Sequence, residues 1–325
     1  PAPYSPDNVP LHRDKYLPIS LKGYKEGDFT MIMGFPGSTE RYLTAAQVAY
    51  QMQNMNGPIA MAGNPLLALY KEVMDMSDEN RLMLEDDYFS LANMIKNYSG
   101  AIESVEKTHL VDEKRAEEAR FRDFIRRTGQ EAEYAGVIDS IAAYCESRAE
   151  DTYNSALYFI TARQISSGAA YGWCSEWKAA IADSAMTKAD SIAAQAVAAL
   201  ATAQRQPTYA ARFDFDRRQA HLLIPIMAKN LKGANKPAYC YLTGKQLDAY
   251  IDSMYTHSIL TDSLRLAKAL QTHQREVVAN DPLLRFHMDN RQFRMEMASH
   301  MDEQVIRKAT ENVRKYTRGL CDMYN

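Results

Sequence analysis

From Thr44 to the C-terminus the sequence repeats one instruction: start a helix. "TAAQ" at Thr44–Gln47 sets a hydroxyl at the N-cap and a glutamine three residues on, the capping-box arrangement in which each side chain serves the other's backbone N–H. "TGKQ" at Thr243–Gln246 has the same form. Asn64-Pro65 and Asp281-Pro282 each place a capping side chain before a proline at the first helical position. Long runs of helix formers follow, among them "RLMLEDDYFSLANMIKNY", "AEYAGVIDSIAAYCESRAEDTYNSALYFITARQI", "TKADSIAAQAVAALATAQRQ" and the stretch from Leu283 onward. Breaks fall at "NGPIAMAGNP", "ISSGAAYG", "QRQPTY" and "KGANKPAY". The pattern predicts about nine or ten helices and a mainly α chain, without a fixed-period solenoid repeat.

The segment before Thr44 is patterned differently. In "YLPISL", Leu17, Ile19 and Leu21 alternate with Pro18 and Ser20; in "FTMIMGF", Phe29, Met31, Met33 and Phe35 share one face. That period of two predicts a β-hairpin over 16–35, turning at "KGYKEG", with Pro18 suited to an edge strand. Two strands alone are at best marginally stable in water, so the pair needs a sheet that later residues do not supply. The expected organisation is a short β segment, residues 1–43, followed by one large helical domain, residues 44–325.

Composition narrows the functions. Net charge is −3 and the pI near 6.2, so no basic excess exists to collect phosphates, and nucleic acid is not an expected partner. No run is long and apolar enough for a transmembrane helix. Cys145, Cys174, Cys240 and Cys321 stand far apart, without CxxC spacing, and read as buried or half-buried thiols. No signal peptide opens the chain, and the first residue is Pro1, which suggests a processed chain or an excised fragment.

Complete chemical motifs are missing. "GFPGST" lacks the lysine of a phosphate loop and reads as a tight turn. "EKTH" at Glu106–His109 has the Glu-x-x-His spacing of a di-iron bundle but no second copy, so His109 reads as a surface or satisfied histidine. There is no HExxH and no GxSxG, and nothing calls for a metal or cofactor. The charged run "DEKRAEEARFRDFIRR" reads as a solvated helix face. "LANMIKNYSG" is less ordinary. Asn93, Asn97 and Gly100 lie at i, i+4 and i+7 and share one helix face, although asparagine competes with the helix for backbone hydrogen bonds. They either bond to neighbouring helices, meet solvent, or bind a ligand; an amide oxygen can accept from an ammonium.

These segments together resemble one family. "YSPDNVPLHRDKYLPISLKGYKEGDFTMIMGFPGSTERY" looks like the stretch between the catalytic aspartate and the helical insertion of the bacterial dipeptidyl peptidase 7 and dipeptidyl peptidase 11 family, chymotrypsin-fold serine exopeptidases. "NMIKNYSG", "DEKRAEEARF" and "NDPLL" recur in the order the family shows, and the resemblance spans essentially the whole chain. Its most specific part is GxPGxTxRY, here Gly34, Pro36, Gly37, Thr39, Arg41 and Tyr42.

The resemblance implies that residues 1–43 are part of a double β-barrel and 44–325 the helical cap inserted into it. It places the His and Asp of the triad upstream and the Ser downstream, so no catalytic residue is expected here and the isolated chain should be inactive. Asp28 then matches a strand start rather than the triad aspartate, and Ser38 stands where the family often has arginine. Asn93 matches the cap asparagine that binds the substrate's N-terminal amine; Asn97, one turn on, is a secondary candidate. The implied partners are peptides with a free N-terminus, the implied location periplasmic or secreted, and a homodimeric full-length parent is admitted. Preference at the residue before the cut is set in the family downstream of the serine, outside this sequence. The competing reading is a stand-alone helical binding or scaffold protein, against which the orphan hairpin argues.

Overall fold

The computed structural model describes residues 5–35, 37 and 39–324. They fall into two compact units that divide between Arg41 and Tyr42. The fold is mainly α, as expected.

In the first unit the hairpin expected over 16–35 is not formed, and the described residues contain no strand. The turn is present: Asp28 donates its N–H to the Lys25 carbonyl (3.1 Å) and accepts from the Lys25 N–H (2.7 Å), with Gly27 at φ 92°. The alternating apolar residues flank it uncovered on both faces, Phe29 89% and Ile32 93% exposed. Without a sheet to bury one face, the period-two pattern has nothing to fold against. Pro36 and Ser38 of the GxPGxTxRY stretch lie outside the described residues.

The second unit begins where the sequence predicts. Thr44 caps helix α1 (Ala45–Gln51) through a complete capping box with Gln47. Glu118, from the run read as a solvated face, is in fact buried, and its carboxylate accepts from the Ala45 N–H at 2.7 Å. An acid there meets both the unpaired donors and the positive end of the helix dipole. One π-helical turn (Met52–Asn56) joins α1 to α2 (Gly57–Met74). Pro58 explains it. Proline has no N–H for the carbonyl four residues back and its ring crowds that carbonyl, so the coil widens and the Gly57 N–H reaches the Met52 carbonyl instead.

The helix start expected at Asn64-Pro65 is not there. Helix α2 runs through it, and the Asn64 amide donates to the Ala60 carbonyl (2.9 Å) rather than capping. Nor is "TGKQ" a capping box: the helix it precedes starts at Lys245, with Gly244 as its cap at φ 52°. Asp281-Pro282 does start a helix, with the Asp281 carboxylate accepting from the Leu284 N–H (2.9 Å).

The remaining α-helices of the described residues are α3 (Asp78–Lys107), α4 (Leu110–Thr128), α5 (Glu131–Tyr134), α6 (Val137–Ile160), α7 (Tyr171–Ala182), α8 (Met186–Gln204), α9 (Tyr209–Asn230), α10 (Lys245–Thr256), α11 (Ser263–Gln271), α12 (Arg275–Ala279), α13 (Pro282–Ser299) and α14 (Glu303–Tyr324). Two apolar clusters hold them. The larger gathers residues from Ile59 to Met297, around Trp177, Tyr239 and Phe286; the smaller packs Phe121 and Ile125 of α4 and Tyr134 against Tyr316 and Leu320 of α14. Helix α6 belongs to both, through Ile138 and Ile141 at one end and Leu157 and Ile160 at the other. Cys145, Cys174 and Cys240 are buried free thiols, whereas Cys321 is exposed, contrary to the reading of four covered thiols.

Candidate functional site

Helix α3 carries the two asparagines singled out by spacing. Ser77 caps it by accepting from the Asn80 N–H (3.1 Å), and Asp78 and Glu79 add negative charge to its first turn, where the dipole favours it. Its inner face buries Leu84, Leu91 and Ile95. Against Ile95 stands Gly63 of α2: a Cβ there would lie 2.0 Å from the Ile95 Cδ1, so glycine allows this approach without displacing the isoleucine side chain. Tyr88 of α3 also packs on Tyr70 of α2. The helix is therefore held by a packed partner between Asn80, which bonds the Val73 carbonyl, and Ser99, which meets Asn64.

The outer face is what that packing leaves free. Leu82, Asp86, Phe89, Asn93, Asn97 and Gly100 follow one another at steps of three and four and all face solvent, Phe89 at 59% exposure. Of the readings open for Asn93 and Asn97, bonding to neighbouring helices is excluded: both are exposed, and among the described residues neither amide has a hydrogen-bond partner. Two free amides, one turn apart on a fixed helix beside an exposed aromatic ring, can offer side-chain oxygens to a donor-rich cation. His109 is exposed and lies at φ 52° at the N-cap of α4. Among the described residues no group of three or more His, Cys, Asp or Glu could hold a metal ion. His221–Asp252 (3.1 Å), His273–Asp190 (2.8 Å) and His300–Asp151 (3.2 Å) are pairs without a serine hydroxyl bonded to the imidazole among the described residues. No helix of the described residues is long and apolar enough to cross a membrane.

A second polar centre was not read from the sequence. Asp216 on α9 accepts from the Tyr255 hydroxyl (2.6 Å) and the Ser166 N–H (2.8 Å). Burial pushes its carboxyl up to about 6, against the lowering effect of those two bonds. On the far side of the same loop, His287 bonds the Ser166 carbonyl (3.1 Å), and burial holds its imidazole down near 4. The one sequence signal was an acid placed one residue from Phe215 and three from Gln219, on a helix whose Phe215, Leu223 and Met227 are buried.

Residues 1–325 match the family model described as Peptidase S46. A dipeptidyl-peptidase 7 of Phocaeicola vulgatus is 28% identical over 334 residues, which cover 100% of this chain and 45% of that protein. A dipeptidyl-peptidase 7 of Capnocytophaga gingivalis is 35% identical over 167 residues, covering 51% of this chain and 23% of the relative. In structure, the chain resembles the crystal structure of Porphyromonas endodontalis DPP11 in complex with the dipeptide Arg-Glu. The TM-score is 0.71 at 20% identity, over 99% of this chain and 46% of that one. The chain thus spans about half the length of the relatives it matches end to end, 45% and 46%.

Proposed function

The chain belongs to the peptidase S46 family, and from that membership we propose that its helical unit is the cap of a serine dipeptidyl peptidase that removes dipeptides from the free N-terminus of peptides. In this reading the alternating residues of 16–35 become barrel strands once the rest of a chymotrypsin-like sheet pairs with them, and residues 44–325 close over the cleft. The chain alone has no triad and does not turn over. The whole enzyme works in the periplasm or outside the cell and admits a homodimeric state.

One observation supports the cap role most directly: the free amides of Asn93 and Asn97 on the outer face of α3. An extended dipeptide spans about 7 Å. An ammonium anchored that far from a serine selects the bond two residues in, and a cap over the cleft refuses longer N-terminal extensions. Asn93 is the primary anchor and Asn97 the secondary one. The acyl-transfer chemistry, with its histidine base and oxyanion hole, is supplied by the barrel.

The test uses the gene product that includes the flanking barrel. Asn93→Ala should lower kcat/KM on free-amine dipeptidyl substrates by about ten- to a hundredfold, the loss expected for one hydrogen bond to a charged group, with the melting temperature unchanged. Unchanged kcat/KM removes Asn93 from the site. Residues 1–325 alone should release no dipeptide; turnover blocked by a serine-directed inhibitor would refute the cap reading.

A further inference from the structure

We propose that a cavity between α2, α3, α8, α9 and α10 binds a small organic monocation: a protonated primary amine on an aromatic or branched apolar body. The cavity encloses about 350 Å³, within the range of small-molecule sites. Its lining includes neither Asn93 nor Asn97, so the inference goes beyond the cap reading.

The apolar part is aromatic and ordered. Tyr70 and Phe215 meet edge to face (centroids 4.6 Å), Phe213 meets Tyr255 likewise (5.3 Å), and Tyr209 stacks on Phe213 (6.1 Å). Rings locked against one another present fixed π surfaces, which attract both an apolar body and a cation.

The polar part carries an excess of negative charge. Among the lining residues the charged side chains are Asp87, Arg212 and Asp216, which leaves one negative charge in excess when all three are ionised. Arg212 is already engaged, with the Asp87 carboxylate (3.3 Å) and the Met83 carbonyl (2.6 Å). Asp216 keeps a reachable face at the cavity wall, and its two bonds leave half of a carboxylate's four acceptor positions unused. Gln219 stands beside it in the wall, 4% exposed. Its Nε2 donates to the Gln164 carbonyl (3.1 Å), and its Oε1, closed to solvent, has no donor among the described residues, so Asp216 is the acceptor a ligand can reach. An ammonium brings one positive charge and N–H donors, which match the excess charge of the lining and the unused positions of the Asp216 carboxylate. An anion meets the opposite: a lining with one more carboxylate than guanidinium.

The probe is 2-phenylethylamine, titrated into the 1–325 chain by calorimetry, with 2-phenylethanol as the uncharged counterpart. The amine should bind with Kd of about 1 mM or tighter, as a ligand of this size can. The alcohol should bind at least about tenfold more weakly. Asp216→Asn, which keeps the shape and removes the charge, should weaken the amine at least about tenfold. Ala203→Phe, which fills the space from α8, should do the same, and each variant is first checked for a cooperative melt. If Asp216→Asn does not fold, Ala203→Phe and the alcohol decide. No binding at about 10 mM, equal binding of amine and alcohol, or undiminished binding to Ala203→Phe each overturns the proposal.

Discussion

Asp216 and His287 grip the same residue, Ser166, from opposite sides, one at its N–H and the other at its carbonyl. Burial moves the two groups toward neutrality, and their contributions to stability run in opposite directions with pH. The Asp216 carboxyl is raised to about 6, so its contribution is fully present below its unfolded value near 3.8 and is lost as pH rises through about 6. The His287 imidazole is lowered from 6.5 to about 4, so its contribution is present above about 6.5 and is lost as pH falls through about 4. Between about pH 4 and 6.5 the two oppose each other. Replacing one exposes the other. In urea unfolding at pH 7 and pH 5, His287→Gln should lose less stability on acidification than the unaltered chain, and Asp216→Asn should lose more. The same sign of change in both variants would show that burial does not shift the two groups in opposite directions. Neither group could be picked out from the sequence. "DFD" at Asp214–Asp216 contains one exposed acid and one enclosed one, and only the packing of Tyr255 and the 164–169 segment distinguishes them.

Helix pairs are set by what their contact residues lack. Gly63 lets α2 lie against Ile95 of α3, and Gly319 lets α14 lie against Phe121 of α4, where a Cβ would fall 2.6 Å from two ring carbons. Alanine is intrinsically about 1 kcal/mol better than glycine inside a helix, so the sequence-level expectation is stabilisation. The contacts reverse the sign. Ile95 can turn its terminal methyl, but the Phe121 ring is fully buried and braced by Tyr134 and Tyr316. Overpacking of this kind costs about 1–3 kcal/mol. Gly319→Ala should therefore lower the thermal midpoint clearly and Gly63→Ala less so; a midpoint unchanged or raised in Gly319→Ala would mean that α14 does not pack this tightly on α4. Caps followed a similar rule. Thr44 and Asp281 were legible because each is the last extended residue before its helix. Asn64-Pro65 was misread because the same dipeptide is tolerated inside a helix whose other contacts hold it.

At the scale of the whole chain, both apolar clusters are built from residues of the second unit, Ile59 to Met297 in one and Phe121 to Leu320 in the other. Residues 42–325 should then fold on their own, with a single cooperative thermal transition, because the clusters that hold the helices are internal to them. A collapse of the transition would show that the first unit holds the second together.

The sequence alone determined that the chain is helical after Thr44, that it contains neither HExxH nor GxSxG, and that it resembles the dipeptidyl peptidases, because these are written in residue type and short spacing. It placed Asn93 and Asn97 on one face but could not say which way that face points. Tertiary structure decided that, by burying Leu84, Leu91 and Ile95, the last against Gly63 of α2, and leaving the amides outside. It also decided that Glu118 is an internal cap and that Asp216, Tyr255 and Gln219 share a cavity wall. Those groups are 36 or more residues apart in at least one pairing (Gln219 with Tyr255, as 255 − 219). Burial and proximity across such separations come from how helices pack, and no local pattern encodes them.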